Sequence, residues 1–202
     1  MSEAGEGRFT KARLEAFSDG IIAVIITLMV LDLKAPDDDS ISSLLKLWPS
    51  FLSYVISFGF AAIYWINHHH IVAAVRHVTP AVIWSNNALL FFLSLFPFAT
   101  AYMAATHISP FPTMIYGALQ LCCAISFSLL AAVIDLQQER DAAWRKAQQV
   151  GIWKGRLSQA LYVLAIPAAY FKPAVSIAIF VVIGLIYTVP DLLARSPTGK
   201  SR

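Results

Sequence analysis

Six long apolar runs separated by short polar connections constrain this chain more than any other feature of its sequence. A helix needs about 20 consecutive apolar residues to cross the hydrocarbon core of a bilayer. The six runs lie at 13–33, 50–74, 80–105, 112–136, 155–171 and 173–194. They fill most of the 202 residues, so the sequence predicts a single all-α domain, residues 1–202, that is an integral membrane protein with six transmembrane helices. Only 13% of the residues are charged, which excludes an ordinary soluble enzyme because soluble proteins carry about 25%.

The lysines and arginines fall mainly on one side of the predicted spans. Of the 15, only Lys34, Lys46 and Lys172 lie on the side opposite both termini, and the other twelve lie on the side of the termini. Cytoplasmic flanks of membrane helices are enriched in positive charge. The sequence therefore predicts a multi-pass protein in the cell membrane with both termini in the cytoplasm. Its expected partners are the lipid bilayer and monovalent cations, with no nucleic acid.

The first span carries the most informative polar residues, Arg13, Ser18 and Asp19. Ionisable groups at membrane depth are costly and usually face protein or water. Asp19 lies about 9 Å beyond Arg13 along a helix, so its carboxylate requires a partner, which we expect on another helix or another subunit. Arg13 and Glu15 can also be read as simple anchors at the cytoplasmic interface.

Farther along the same span, Gly20, Val24, Thr27 and Leu31 recur at spacings of four, three and four, with Leu28 beside them. These residues therefore form one stripe along a helix. Such a stripe is typical of ordinary helix packing. A second interpretation is that copies of the stripe face each other around a symmetry axis and form a narrow apolar constriction, one of the devices by which channels gate and select.

The second span ends in a cluster of polar and aromatic residues, Trp65, Asn67, His68, His69 and His70. Three consecutive histidines suggest a metal or haem site. However, successive residues on a helix point about 100° apart, so these rings cannot all bind one ion, and two ligands do not make a site. We therefore predict no metal site, which leaves two interpretations: interfacial histidines, or a buried hydrogen-bond network.

Several of these segments together resemble the transmembrane protein 175 family, the endolysosomal potassium channels and their prokaryotic homologues. Arg13-Leu-Glu-Ala-Phe17-Ser18-Asp19 resembles the Arg-x-x-x-Phe-Ser-Asp signature of the family's first helix, and residues 20–31 resemble its pore helix. Trp65-Ile-Asn67-His68-His69 resembles the motif of the second helix, and Asn86 with Ser94-Leu-Phe-Pro97-Phe98 resembles that of the third. The second half of the chain matches only in span number and hydrophobicity.

The resemblance implies a homotetramer in the cytoplasmic membrane of a prokaryote, with the first helix of each subunit lining a central pore. By position, Val24 would form the narrowest hydrophobic ring, Thr27 a hydroxyl layer beside it, and Leu28 and Leu31 further apolar rings. The family often has isoleucine or leucine where this chain has Val24, so the ring would be smaller here.

The resemblance also implies a supporting hydrogen-bond network around the start of the first helix. Ser18 and Asp19 would be held by groups from the second and third helices, with Arg13 tied into the same intracellular layer. The implied partners are Trp65, Asn67, His68 or His69, and Asn86.

The implied function is a potassium-permeable cation channel of leak type. A hydrophobic constriction and partial dehydration of the ion would replace a carbonyl filter, since the chain has no Thr-Val-Gly-Tyr-Gly motif. Permeant K⁺ is expected in the pore, with no cofactor. The alternative is a secondary transporter of a small cation or solute, for which repeats and ionisable residues at the midplane are typical. No convergent set of nucleophile, base or metal ligands points to an enzyme.

Overall fold

The computed structural model describes residues 10–36, 38–138 and 142–194, and within this part of the chain every regular element is an α-helix. The helices are α1 (Lys11–Leu31), α2 (Ile41–Lys46), α3 (Trp48–Ala73), α4 (Pro80–Ser94), α5 (Phe96–Ala105), α6 (Pro110–Asp135), α7 (Ala142–Phe171) and α8 (Pro173–Ala194). Both ends of the predicted domain and five of the charges used to orient it lie outside the described residues. These charges are Arg8, Arg140, Arg195, Lys200 and Arg202.

Four stretches of the described helices are long and apolar enough to cross a membrane. They are Lys11–Leu31, Trp48–Ala73, Pro80–Ala105 and Pro110–Asp135. A shorter apolar stretch, Pro173–Thr188, lies in α8.

The fifth predicted span, 155–171, differs from the helix found there, because α7 begins at Ala142. Much of the charged segment before residue 155 is therefore helical and is not an irregular connection. Apolar composition indicates which part of a helix can lie in lipid, but it does not show where the helix begins.

Threonine and proline residues begin several of the helices. The Thr10 side chain accepts from the backbone N–H of Arg13 at the start of α1, and Thr79 accepts from that of Val82 at the start of α4. These bonds satisfy backbone donors that have no partner in the first turn. Pro80 follows Thr79 as the first residue of α4, where its missing N–H costs nothing.

The third apolar run is not one continuous helix, because it is broken at Leu95 between α4 and α5. Pro97 has no N–H to donate to the carbonyl four residues earlier, which interrupts the regular helical ladder. The Leu95 N–H bonds instead to the Phe92 carbonyl at 3.2 Å, three residues back. The two halves of this run are consequently separate helices, and both contact α1.

The helices pack around α6, which contacts α4, α5, α7 and α8. α1 lies at one edge of this bundle and packs on α3, α4 and α5. One side of α1 is buried against these helices through Leu14, Ser18, Ile22, Ile25 and Met29. The spacing of these residues is four, four, three and four, so they form a single stripe along the helix. The residues between them form the opposite face of α1.

Candidate pore-lining helix

Ser18 attaches the buried side of α1 to the rest of the bundle. Its side chain is fully buried and donates to the Leu14 carbonyl at 2.8 Å. The Asn86 amide nitrogen on α4 donates to the Ser18 hydroxyl oxygen at 3.0 Å. Since a buried polar group without a partner is unfavourable, this contact fixes how α1 faces α4.

Asn86 continues the contact to α3 through His68. The Asn86 amide oxygen lies 2.7 Å from His68 Nε2, and both side chains are buried. An amide oxygen only accepts hydrogen bonds, so His68 Nε2 carries the proton in this arrangement. We call Ser18, Asn86 and His68 the Asn86 network; it joins α1, α4 and α3 near the start of α1.

Asp19 finds its partner on α3, as its position near the start of an apolar span demands. The indole N–H of Trp65 donates to Asp19 Oδ1 at 3.0 Å. The Trp65 ring in turn stacks on the His69 ring, with centroids 6.3 Å apart and 30° between the planes. Both Trp65 and Asp19 are exposed in the single chain, so this second attachment lies at the surface of the bundle.

Two residues that were expected in the supporting network lie outside it. Asn67 donates to the Ile63 carbonyl of its own helix at 2.8 Å, and His69 is exposed and contacts Trp65. Helical phase explains the difference, since neighbours on a helix point about 100° apart and only one residue of the run can face α4. Tyr64, His68 and Val72 are all buried. Their four-residue spacing is visible in the sequence and places His68, rather than its neighbours, on the buried side of α3.

The opposite side of α1 is apolar and uncovered in the single chain. Its exposed large side chains are Phe17 (54% exposed), Val24 (55%), Leu28 (47%) and Leu31 (74%). They lie within a 15-residue stretch, about 21 Å of helix. A Cβ placed on Gly20 would meet no atom within 4 Å, so this face is also open toward the N-terminal end of α1.

Thr27 lies on the same uncovered face between Val24 and Leu28. Its hydroxyl donates to the Val24 carbonyl at 2.8 Å. The single hydroxyl proton is thereby used within the helix, which leaves the oxygen lone pairs available to a group outside the helix. Arg13 is exposed in the first turn of α1, and its backbone N–H bonds to Thr10.

Sequence reasoning missed a second buried polar network farther along α1. Thr100 on α5 lies 2.6 Å from the Ser57 hydroxyl on α3, and Ser57 lies 3.1 Å from the Tyr116 hydroxyl on α6. Gln120 donates to the same tyrosine hydroxyl at 3.2 Å. The Thr100 hydroxyl oxygen also lies 3.8 Å from the Met29 sulfur. We call these five residues the Thr100 network. Polar residues four apart in apolar helices, such as 116 and 120, are the signal that could have found it.

The fold and these contacts define a helical integral membrane protein in which one helix is attached by polar bonds on one side and left open on the other. Comparison with known proteins identifies the family. The sequence profile described as "Endosomal/lysosomal potassium channel TMEM175" matches residues 13–97. The chain is 40% identical over 182 residues to a potassium channel of Chryseobacterium sp. (strain P1-3), covering 90% of this chain and 94% of that protein. The chain belongs to the TMEM175 family.

Two further comparisons agree with this assignment. The chain is similar in structure to the crystal structure of a lysosomal potassium-selective channel TMEM175 homolog from Chamaesiphon minutus. The TM-score is 0.78 at 29% sequence identity, with 89% of this chain and 97% of that chain covered. The human endosomal/lysosomal proton channel TMEM175 is 29% identical over 160 residues, and the match covers 72% of this chain but only 31% of the human protein.

Proposed function

We propose that four copies of this chain assemble around a central axis and form a potassium-permeable leak channel, with α1 of each subunit lining the pore. Each subunit spans the cytoplasmic membrane of a prokaryote six times, with both termini in the cytoplasm. The observation that carries the proposal is the uncovered apolar face of α1, which lies opposite a side held by buried polar contacts. The potassium channels among its relatives support the choice of ion.

The polar attachments of α1 argue for an uncovered face with a defined position. A helix that merely faces lipid gains little from being fixed in rotation, since lipid is the same on every side. The Asn86 network and the bond between Trp65 and Asp19 instead hold the N-terminal part of α1 at two points. Four copies held in this way would present Val24, Leu28 and Leu31 as successive apolar rings, a known arrangement for a hydrophobic gate.

Thr27 gives this pore a means of distinguishing cations. An ion that passes an apolar ring must lose part of its hydration shell, and potassium gives up water more readily than sodium does. The Thr27 oxygen, whose proton is bound to the Val24 carbonyl, faces the ion with lone pairs and can replace part of that water. Modest selectivity for potassium follows. The spans carry no ladder of arginines that could sense voltage, which is consistent with leak-type conduction.

Ion flux from the purified protein in liposomes tests the proposal, with a potassium gradient and sodium as the comparison cation. Val24→Ala should raise unitary conductance, because it widens the narrowest ring. Val163→Ala on α7 is the matched control, since Val163 is also 55% exposed but lies on a helix away from α1. Equal conductance of the Val24 variant and wild type would refute the assignment of the pore.

The role of Thr27 has an equally close control on α8. Thr188 is exposed and donates to the Gly184 carbonyl at 2.8 Å, a local bond of the same kind. Thr27→Val should lower the preference for potassium over sodium, measured by the reversal potential, whereas Thr188→Val should leave it unchanged. An identical reversal potential in both variants would remove the hydroxyl from the mechanism.

Two further measurements separate the proposal from its alternative. The mass of the purified complex in detergent should correspond to four chains. Flux should rise linearly with the potassium gradient, as expected for a channel. Slow flux that saturates with potassium concentration would instead support a secondary transporter.

A further inference from the structure

The C-terminal half of α1, here called the outer half, is attached by the Thr100 network. The Asn86 network attaches the N-terminal half, here called the inner half. Met29 is 1% exposed and points to the buried side of α1, where its sulfur lies 3.8 Å from the Thr100 hydroxyl oxygen. Its neighbour Leu28 lies on the uncovered face. A shift of Met29 toward or away from α5 therefore moves Leu28 relative to the open side of the helix.

Thr100 is itself held by buried groups from two other helices. Its hydroxyl lies 2.6 Å from that of Ser57, which continues to Tyr116. Ser57 and Tyr116 have no exposed surface, and Thr100 is 4% exposed. Tyr116 is fixed by the Phe180 ring, with centroids 5.5 Å apart. The Thr100 hydroxyl is thus a fixed point, and through it Met29 is tied to the centre of the bundle.

The two networks hold α1 on either side of the proposed constriction. Ser18 and Met29 are 11 residues, or about 16 Å, apart along the helix, and Val24 lies midway between them. The partner of Ser18 is on α4 and the partner of Met29 is on α5. The break at Leu95 separates α4 from α5, so the inner and outer halves of α1 are held by two different helices.

We propose that Thr100 is a positioning residue for conduction, which sets the distance of the outer half of α1 from the pore axis through Met29. This inference rests on the proposed function, in which α1 lines the pore. Thr100 touches no permeant ion in this arrangement. It acts on the rings formed by Thr27, Leu28 and Leu31 by fixing the side of the helix behind them.

Single-channel recording of purified variants in planar bilayers tests the proposal. Thr100→Val keeps the shape of the side chain and removes the hydroxyl, and should change unitary potassium conductance about twofold or more, the size expected for a residue coupled to the site. Thr100→Ser keeps the hydroxyl and should restore wild-type conductance. Met29→Leu, which keeps the volume of the side chain but removes the sulfur, should change conductance in the same direction as Thr100→Val.

Thr113→Val on α6 is the control for a purely structural effect. Thr113 is fully buried, and among the described residues its hydroxyl bonds only to the nearby Ser109 carbonyl at 2.8 Å. The Thr113→Val variant should have a lower unfolding temperature than wild type and the same unitary conductance. If Thr100→Val behaves in the same way, the positioning role is refuted. Should that variant fail to fold, unchanged conductance of Met29→Leu refutes it equally.

The Val24→Ala variant, recorded in the same bilayers, distinguishes the two levels of the argument. Altered conductance of Val24→Ala together with unchanged conductance of Thr100→Val would overturn the positioning role alone. Unchanged conductance of Val24→Ala would overturn the proposed pore, and the role of Thr100 with it.

Discussion

Asn86→Leu removes both polar contacts of the Asn86 network with one substitution. Asn86 accepts the only hydrogen bond of His68 Nε2 in the described part of the chain and donates to Ser18. Leucine is branched at the same position as the amide but offers neither donor nor acceptor. The variant therefore leaves a buried ring N–H facing a hydrocarbon side chain.

The size of the effect follows from what each partner retains. His68 is 2% exposed, and a buried donor without an acceptor costs about 1–3 kcal/mol. Ser18 keeps its bond to the Leu14 carbonyl, so it loses only one ordinary hydrogen bond, worth about 0.5–1.5 kcal/mol. We expect the free energy of unfolding to fall by about 2–4 kcal/mol.

Denaturant unfolding in detergent micelles, followed by the fluorescence of the five tryptophans, measures this difference. Asn87→Leu is the matched control, because Asn87 is the same residue type on the next position of α4 but is only half-buried. It should change stability by less than about 0.5 kcal/mol. Ser18→Ala combined with Asn86→Leu should show a coupling of about 1 kcal/mol. Equal stability of the two leucine variants would refute the reasoning.

Three other predictions follow from the structure. Gly117→Ala should destabilise the protein by about 1 kcal/mol, because the added Cβ would lie 3.2 Å from side chains on α7 and α8. Gly151→Ala is the control, since a Cβ there meets nothing within 4 Å and should be tolerated. Thermal unfolding compares the two variants. The Ser40 hydroxyl lowers the pKa of Asp38 below its usual value. The stabilisation of this turn is therefore complete above the usual pKa of an aspartate and is lost as pH falls through the lowered pKa, as carboxyl NMR titration should show. Asp32 is the exposed C-cap of α1, where a negative charge opposes the helix dipole. In the proposed channel this carboxylate lies at the pore mouth and attracts cations, so Asp32→Asn should lower potassium conductance at low salt. In 1 M salt the conductance should not change, because charges are then screened within about 3 Å.

The parts of the site that could be predicted are those in which an ionisable or polar residue interrupts an apolar run. Ser18 and Asp19 stand out near the start of the first span, and their need for partners follows from the cost of burying them. The identity of the partners required helical phase as well. His68 and Asn67 are adjacent in sequence, yet one contacts Asn86 and the other bonds to its own helix.

The extent of α7 could not be predicted for a different reason. The expectation rested on apolar composition, which reports lipid contact and not helicity. Residues 142–154 include charged and polar side chains, and many of these are good helix formers in water. A helix that leaves the bilayer therefore continues without any signal in the hydropathy of the chain.

α1 shows the limit of such reasoning most directly, since apolar residues lie on all sides of its outer half. Met29 contacts Thr100 within the subunit, while Leu28 and Leu31 are exposed. A side chain that faces lipid, a neighbouring helix or a hydrophobic pore can be leucine in each case, so the residue type does not tell these surfaces apart. Only the polar residues on the helices behind α1 do so. Because Asn86 and Thr100 both contact one side of α1, the opposite side is the one that would line the proposed pore.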